Sequence, residues 1–399
     1  MTPGPRTVRI LGTHGVPASY GGFETAAEQV GLFLRDQGWR VVVYCQAPGR
    51  GEMTFDTWQG LERVTIPVDR EGWLGTAQFD LLSIRHAVRH RDLCLTFGYN
   101  TAIFNLAQRV LGIPNVINMD GIEWSRARWG FGRQAILYVN ERIACLVGHE
   151  LIADHPVIET YLRTRAPARK ITTITYGGPT VTGAPADSVE AYGLTPGRYL
   201  TVVARPIPEN SILEIVRGFS QRRREIDLVV LGHYQPETDP YHAAVQAAAG
   251  DRVRFLGGIY EPGRVQALRF HALGYVHGHT VGGTNPSLVE ALGAGNPVLA
   301  HDNPYNRWVA ADAARYFRTA EDVDAQVTAL VDNPDLVAEL GAAARARHAA
   351  EFTWAHVAGA YEQLLVKAQN KMVKQKVARR ESRRVVDRIR SRAEGTELS

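Results

Sequence analysis

Residues 277–297 read His-Gly-His-Thr-Val-Gly-Gly-Thr-Asn-Pro-Ser-Leu-Val-Glu-Ala-Leu-Gly-Ala-Gly-Asn-Pro, and this stretch is the most informative part of the sequence. The residues at 273–276 precede it and predict a strand, which leads through Gly282 and Gly283 into a helix. A strand that enters a helix through a glycine turn is typical of α/β domains, which bind ligands at such helix N-termini.

The helix after this turn has the features of a nucleotide site. Thr284 or Asn285 can cap it, and Pro286 suits its first turn. The free N–H groups and the helix dipole then favour a phosphate. Glu290 lies about one turn further along among apolar residues, where a buried carboxylate needs a polar partner such as a ribose diol. The alternative is a structural loop followed by a surface glutamate.

This order of residues resembles the donor-binding segment of the family 4 retaining glycosyltransferases. That family has the GT-B fold, in which two doubly wound Rossmann-like domains face a central crevice. The second of its two spaced glutamates binds the nucleotide ribose, and Glu290 matches it, whereas Gly282 replaces the first glutamate. The string His-x-Val-Gly-Gly-Thr-Asn-Pro-Ser-Leu is similar to a bacterial rhamnosyltransferase-like branch. The resemblance places the donor against Gly282, Gly283, Thr284, Asn285, Ser287 and Glu290.

A second glycine turn follows the first predicted strand, Val8–Leu11. Gly21 and Gly22 open the next helix, where their N–H groups can receive a phosphate or sugar oxygen. Glu24 suits the dipole in the first turn. The same family branch places this segment against the donor phosphates or the acceptor, so we expect the glycine pair on the donor and Glu24 on the acceptor.

A dehydrogenase with a Rossmann site is the rival interpretation of that turn. Gly12-x-x-Gly15 is not the G-x-G-x-x-G fingerprint, and the second predicted strand ends without an acidic residue for an adenosine ribose. Both observations argue against it.

Residues 118–129, Asn-Met-Asp-Gly-Ile-Glu-Trp-Ser-Arg-Ala-Arg-Trp, follow the fifth predicted strand. Ligands bind at the carboxyl ends of strands in open α/β sheets, and this mixture of acids, arginines and tryptophans suits a sugar ring and an anionic group. An ordinary Asp-Gly turn beside core tryptophans is the alternative. The resemblance makes Asp120 the candidate that orients or deprotonates the acceptor hydroxyl, with Glu123 beside it. The expected acceptor-binding residues are Glu24, Trp124, Arg126 and Arg128.

Arg205 follows the first predicted strand of the second domain. Family 4 enzymes often have an arginine here and a lysine five residues later, and both grip the donor diphosphate. Arg205 matches the arginine, but the second position is Asn210, which we expect to cap the helix Ser211–Phe219. We expect Arg205 to bind the donor and to stabilise the leaving diphosphate as a catalytic residue.

Short β-branched runs alternate with helical segments along both halves of the chain, which predicts two parallel sheets covered by helices. A Gly-, Pro-, Ala- and Thr-rich stretch around 177–196 suggests a linker. We therefore expect an acceptor-side domain at 1–178, a nucleotide-sugar-binding domain at 179–366 and a basic tail at 367–399. The resemblance implies that the last helix before the tail returns to the first domain.

Composition and charge place the chain in a cellular context. Its three cysteines give no disulfide framework or metal-ligand spacing, and it shows neither a signal peptide nor a membrane-spanning run, which favours the cytoplasm. Residues 367–392 contain eleven Lys or Arg and two acids, a net +9 against +4 for the whole chain. We expect this tail to bind the anionic inner face of the plasma membrane, with a solvated terminal helix as the alternative. It has no aromatic residue on which nucleic-acid bases could stack.

Together these features predict a retaining glycosyltransferase. The donor would be a dTDP- or UDP-linked sugar, in particular a deoxysugar such as rhamnose. The acceptor would be a bacterial surface glycan or a saccharide linked to polyprenyl diphosphate. GT-B enzymes usually handle the diphosphate without a metal, so we expect no metal or other cofactor. The alternative is a non-catalytic nucleotide-sugar- or glycan-binding protein, because Gly282 and Asn210 replace a carboxylate and a cation.

Overall fold

The computed structural model of the chain describes residues 6–19, 21–126 and 129–371. These residues form two compact units. Unit 1 comprises 6–153, 162–172 and 358–371, and unit 2 comprises 154–161 and 173–357. The chain therefore enters unit 2 earlier than the domain boundary expected at residue 178.

In the described part of unit 1, eight strands form one sheet in the order β3-β4-β2-β1-β5-β6-β7-β8. The strands are β1 Thr7–Leu11, β2 Arg40–Pro48, β3 Thr54–Trp58, β4 Leu61–Val68, β5 Leu93–Phe97, β6 Asn115–Asn118, β7 Glu150–Ala153 and β8 Ile171–Thr173. The helices are α1 Gly22–Asp36, α2 Gly72–His90, α3 Leu106–Val110 and α4 Phe131–Val147, with 3-10 turns at Ala102–Asn105, Glu123–Ser125 and Ala168–Lys170. β3 runs antiparallel to β4, whereas β1 pairs in parallel with both β2 and β5.

In unit 2, six described strands form a parallel sheet in the order β11-β10-β9-β12-β13-β14. The strands are β9 Tyr199–Val203, β10 Asp227–Leu231, β11 Val253–Gly257, β12 Gly274–His277, β13 Val298–His301 and β14 Ala314–Phe317. The helices are α5 Pro156–Leu162, α6 Asp187–Glu190, α7 Ile212–Ser220, α8 Pro240–Ala247, α9 Pro262–Phe270, α10 Pro286–Gly293, α11 Pro304–Ala310, α12 Ala320–Asp332 and α13 Pro334–Glu351, with 3-10 turns at Pro208–Asn210 and Ala311–Ala313.

The strand order places the segments of interest. β9 lies between β10 and β12, so the segments that follow β9 and β12 begin side by side where the strand order reverses. β1 occupies the equivalent place in unit 1, between β2 and β5. Ligands of open α/β sheets bind outside the carboxyl ends of the strands at such switch points. Each predicted site segment starts at the switch point of its own sheet: the segment after β1 in unit 1, and the segments after β9 and β12 in unit 2.

The predicted linker around 177–196 is part of unit 2. Val189 and Leu194 are buried in a cluster with Tyr199 of β9 and Leu268 of α9. These two apolar residues therefore belong to the core of unit 2, and the position of the domain boundary stays a prediction.

The helix at 354–371 begins in unit 2 and continues into unit 1 from residue 358. Within unit 1, the Asn118 side chain donates a hydrogen bond of 2.7 Å to the Tyr361 hydroxyl. Lys367 and Lys371 both pair with the fully buried Glu150, at 3.0 and 3.3 Å. The expected return of the last helix to the first half of the chain is therefore observed. The rest of the predicted basic tail, 372–399, lies outside the described residues.

Among the residues that the structure describes, no helix is both long enough and apolar enough to cross a bilayer.

Candidate functional site

Hydrogen bonds join the segment after β9 to the segment after β12. Thr280 donates from its backbone N–H and from its hydroxyl to the carbonyl oxygen of Glu209, at 2.9 and 3.0 Å. A Cβ on Gly278 would collide with the carbonyl oxygen of Asn210. The predicted diphosphate segment and the glycine turn thus form one cluster at the switch point of unit 2.

Local sequence explains how α10 begins. The Asn285 side chain accepts a hydrogen bond of 3.1 Å from the Ser287 N–H, and Pro286 occupies the first helical position. Of the two expected capping residues, Asn285 is therefore the cap. Thr284 has a different role.

Thr284 is bound to Asp154, which directly follows β7. The Thr284 N–H donates to Asp154 Oδ2 at 3.0 Å, and its hydroxyl donates to the Asp154 carbonyl oxygen. A Cβ on Gly283 would collide with the same carboxylate, so a larger residue there would displace the Asp154 side chain. An internal carboxylate thus binds the backbone N–H of Thr284, the residue that precedes the cap of α10.

The glycine turn retains two hydrogen-bond donors. Gly282 adopts φ +133°, as expected for a glycine in this turn. Within the described part of the chain, the backbone N–H groups of Gly282 and Gly283 donate no hydrogen bond. These two groups can bind an anionic or sugar oxygen.

Ser287 is at the centre of a buried polar group beneath this turn. Its hydroxyl donates to the Val203 carbonyl oxygen at 2.9 Å and also contacts the Tyr275 hydroxyl. Arg269 Nη2 donates to the Ser287 hydroxyl oxygen at 3.1 Å. Burial raises the pKa of Tyr275, so it remains a neutral phenol. Ser287 therefore fixes α10 against β9, and its part in donor binding stays a prediction.

Glu290 forms an ion pair that the sequence did not predict. Its Oε2 lies 2.5 Å from Nη1 of Arg269, and the two side chains are 28% and 4% exposed. Arg269 is its one hydrogen-bond or ion-pair partner among the described residues, so Oε1 remains available. Arg269 lies four residues after Val265 in α9, and this helical spacing was the available sign that it points inward.

Arg205 and Asn210 lie in the turn after β9. Arg205 is exposed, and the buried Asn210 side chain donates a 2.7 Å hydrogen bond to the Arg205 carbonyl oxygen. Asn210 ends a 3-10 turn, and the residue that precedes α7 is Ser211. The expectation that Asn210 caps α7 is therefore wrong; it shapes the turn that presents Arg205.

His277 ends β12 and is 1% exposed. Its ring stacks on that of His279 at 4.3 Å, and both of its ring nitrogens are buried without a partner among the described residues. Burial, followed by the nearby His279, Arg269 and His301, lowers the pKa of His277 well below its ordinary value. It is therefore a neutral imidazole at physiological pH.

In unit 1, the turn after β1 is organised by Glu24. Its carboxylate accepts a 2.8 Å hydrogen bond from the His14 N–H, and Glu24 is 5% exposed. Gly21 is the residue that caps α1 and has extended backbone, and Gly22 begins the helix. Glu24 thus holds the turn, and contact between these residues and a substrate stays a prediction.

Asp120 has the left-handed backbone conformation, with φ +54°. Its N–H donates to the Asn118 side chain at 3.0 Å, and Asp120 is half-buried. Asp tolerates this region better than most residues, and strained positions of this kind cluster at functional sites. The conformation agrees with a special role for Asp120 without defining it.

Glu123 is buried among partners. Arg126 Nε lies 2.6 Å from Glu123 Oε1, and Trp129 Nε1 donates to Oε2 at 3.3 Å. The buried Tyr99 hydroxyl accepts from the Glu123 N–H at 2.8 Å. Both carboxylate oxygens are engaged, which suits a positioning residue better than a base.

Trp124 also has a fixed orientation. Its Nε1 donates to the buried Glu141 at 2.9 Å, and its ring meets Tyr138 edge-on at 5.3 Å. The predicted acceptor residue Arg128 lies outside the described residues.

No metal centre is formed within the described ranges, where no three His, Cys, Asp or Glu side chains could hold an ion. An Asp-x-Asp sequence does occur in α12. Asp322 there closes a capping box with Thr319, and Asp324 pairs with Arg222 and Arg224. Both carboxylates therefore stabilise unit 2.

Comparison with known proteins extends this description. Residues 5–179 match a family model described as a domain of unknown function (DUF1972), and residues 215–363 match one described as glycosyl transferase-like. No curated protein matches the chain.

Solved structures resemble nearly the whole chain. Sucrose-phosphate synthase from Thermosynechococcus elongatus is 18% identical with a TM-score of 0.78, covering 92% of this chain and 100% of that one. Anabaena HepE in complex with UDP and glucose is 16% identical with a TM-score of 0.72, covering 91% and 100%. A UDP-forming trehalose-phosphate synthase from Burkholderia vietnamiensis is 11% identical with a TM-score of 0.68, covering 91% and 100%. The predicted GT-B fold of two Rossmann-like domains is thereby confirmed.

Proposed function

We propose that this protein is a glycosyltransferase that takes its sugar from a nucleotide-diphosphate donor. One observation carries the proposal: Glu290 presents a free carboxylate oxygen on α10, one helical turn from a glycine turn with two free N–H donors. A ribose diol and a phosphate or sugar oxygen are the groups that such a pair of features binds. The glycosyl transferase-like match of residues 215–363 includes both features.

The donor class rests on these residues and on the related folds. HepE is described in complex with UDP and with UDP-glucose, and the trehalose-phosphate synthase as UDP-forming. A UDP- or dTDP-linked sugar is therefore the donor to test first. The resemblance of the glycine turn to a rhamnosyltransferase-like branch supports a deoxysugar such as rhamnose.

The division of roles follows the two units. Unit 2 would hold the donor through Glu290, the glycine turn and Arg205. Unit 1 would hold the acceptor through the segment that begins at Asp120, with Glu123 and Trp124 keeping its shape. A saccharide acceptor, including a bacterial glycan on a polyprenyl diphosphate carrier, fits the basic character of the chain's end.

For the reaction itself we propose transfer with retention of configuration. The anomeric C–O bond to the diphosphate breaks, a bond from the same carbon to the acceptor oxygen forms, and the acceptor proton passes to an oxygen of the leaving diphosphate. Arg205, exposed at the carboxyl end of β9, would stabilise the charge that develops on the leaving diphosphate. Asp120 would orient the acceptor hydroxyl.

Specific observations favour a second candidate, a nucleotide-sugar-binding protein without turnover. Gly282 has no carboxylate, Asn210 is buried in its own turn, and Asp154 brings a negative charge to the start of α10. The first removes a contact expected with hydroxyls of the donor sugar, and the other two weaken the binding expected for a diphosphate.

A panel of UDP- and dTDP-linked sugars with saccharide acceptors tests both proposals. Release of nucleoside diphosphate that depends on the acceptor, with NMR of the new linkage, would establish transfer and its stereochemistry. Saturable binding of a nucleotide sugar without product would favour the binding protein. Absence of nucleotide binding by calorimetry would contradict both.

A further inference from the structure

Three neighbouring helices of unit 1 expose apolar side chains in line with arginines. On α2, Leu74, Leu81 and Arg85 follow each other at helical spacing on the exposed side, and Trp73 is exposed beside them. On α4, Ile136, Val139, Arg142 and Leu146 form the same pattern, with Leu146 69% exposed.

The segment between these helices repeats the pattern. Ile103, Leu106 and Val110 are exposed along the 3-10 turn and α3, with Arg109 next to Val110. Val110 is 83% exposed, which is unusual for a valine in a helix that packs against two others. We call the exposed side of α2, of residues 102–111 and of α4 the apolar-basic face.

Buried hydrogen bonds hold the three parts of this face together. The Thr101 hydroxyl donates to the buried Asp80 of α2 at 2.7 Å. The backbone N–H of Ile103 donates to the buried Asn140 side chain of α4 at 3.0 Å. The exposed stripes therefore belong to one fixed surface of unit 1.

The charge on this face has one sign. The acids of α2, α3 and α4 are Asp80 and Glu141, and both are buried. The exposed arginines at 85, 89, 109 and 142 form no ion pair within the described residues. An anionic surface would complement them.

Further cations lie near Arg109 of this face. Burial together with Arg109, Lys170 and Lys371 lowers the pKa of His149 to about 4, so these cations lie close to one another. Lys371 is the last described residue, and the strongly basic segment continues from it.

We infer that the apolar-basic face docks on a bilayer that contains anionic lipid. Its apolar side chains would enter the boundary between headgroups and acyl chains, while the arginines bind lipid phosphates. A second copy of the chain is a poorer occupant, because a two-fold interface would oppose the arginines to themselves. The inference rests on unit 1 alone and holds whether or not the proposed transfer occurs.

The test uses the full-length protein and vesicles of phosphatidylcholine with and without phosphatidylglycerol. Sedimentation is measured as the Debye length falls from about 10 Å to about 3 Å with added salt. High salt screens the tail and the arginines, whereas apolar insertion persists. The wild type should therefore retain a salt-resistant bound fraction on anionic vesicles.

Two surface variants and one control show whether the apolar-basic face produces the salt-resistant bound fraction. Val110→Glu combined with Val139→Glu should abolish the salt-resistant fraction. Arg109→Gln combined with Arg142→Gln should weaken binding at low salt roughly thirty-fold. Tyr260→Glu, at an 85% exposed aromatic of unit 2, should bind like the wild type.

Each remaining outcome overturns the inference. If the wild type shows no salt-resistant fraction, or if the Val110/Val139 variant retains it, the apolar-basic face does not insert and any binding at low salt is due to the tail. A dimer in ultracentrifugation that the same variant dissociates would make the face an interface between copies. Circular dichroism and UDP binding report whether each variant is folded. Arg109 and Arg142 are both exposed and form no ion pair within the described residues, so the double glutamine variant does not disturb packing. Absence of both UDP and dTDP binding by the wild type would refute the proposed function and leave this inference standing.

Discussion

Replacement of Glu290 by glutamine should weaken nucleotide binding and also destabilise unit 2, and the two effects can be measured separately. The glutamine keeps an oxygen for Arg269 Nη1 but removes the negative charge from a guanidinium that is 4% exposed. Complete loss of a partner in a buried ion pair costs about 3–5 kcal/mol, and a retained neutral hydrogen bond reduces this to about 2 kcal/mol. We expect that loss in the free energy of unfolding, measured in urea.

The effect on binding has a different origin. A ribose diol donates to a carboxylate through charge-assisted hydrogen bonds, and their loss costs about 1.5–3 kcal/mol, or roughly 10- to 100-fold in Kd. Titration calorimetry with UDP and dTDP, at a temperature where the variant is fully folded, measures it. Glu261→Gln is the matched control, since Glu261 forms an exposed pair with Arg264 at 2.5 Å and should leave both quantities unchanged.

The result that refutes the role of Glu290 is specific. A folded Glu290→Gln protein with reduced stability and wild-type affinity for both nucleotides would make the Arg269–Glu290 pair purely structural. The proposed donor site would then lose the observation that carries it.

Three further predictions concern other positions. Arg205→Ala should lower kcat about 100-fold and affect the donor KM less, because its contact strengthens as the leaving group gains charge; an unchanged kcat in steady-state assays would contradict this role. Asp120→Asn should suppress transfer and leave UDP affinity intact by calorimetry, since asparagine also tolerates the φ of +54°, and equal loss of UDP binding would move Asp120 to the donor side. Burial raises the pKa of Asp80 to about 6, so its protonated form stabilises the fold fully below the unfolded pKa of about 4, and this contribution is lost as pH rises through 6. Asp80→Asn cannot titrate, so its stability relative to wild type in urea should rise by about 2 kcal/mol from pH 4 to pH 7, and a constant difference would refute the buried acid.

Local patterns in the sequence predicted most of the sheet architecture. The strands that cross the core are short apolar runs, and burial on both faces makes such runs recognisable. β3 was not predicted because its side chains are largely exposed and it lies at the edge of the sheet. Its hairpin turn uses Gln59 and Gly60, both with positive φ, and Gln-Gly is a weaker turn signal than Asn-Gly.

The candidate site divides in the same way. Asn285 was predictable as a cap because capping joins residues two or three positions apart. The Asp154–Thr284 and Arg269–Glu290 pairs were not, because their members come from different elements that only the tertiary fold brings together. Sequence patterns indicate which residue types a site contains, and they do not indicate which of these residues are already paired.

The carboxylate of Asp154 changes what the glycine turn can do. A helix N-terminus attracts anions. Here the Asp154 carboxylate already accepts a hydrogen bond from the Thr284 N–H, just before α10. A donor diphosphate would meet the N–H groups of Gly282 and Gly283 in a field that this carboxylate makes less positive. Weak attraction in the ground state does not by itself argue against turnover. An interaction accelerates a reaction only to the extent that it strengthens in the transition state. If the site binds the intact diphosphate weakly, the proposed contact with Arg205 acts mainly on the diphosphate as it leaves the sugar. The absence of a second cation at Asn210 is therefore compatible with an enzyme whose donor affinity rests on the ribose and Glu290.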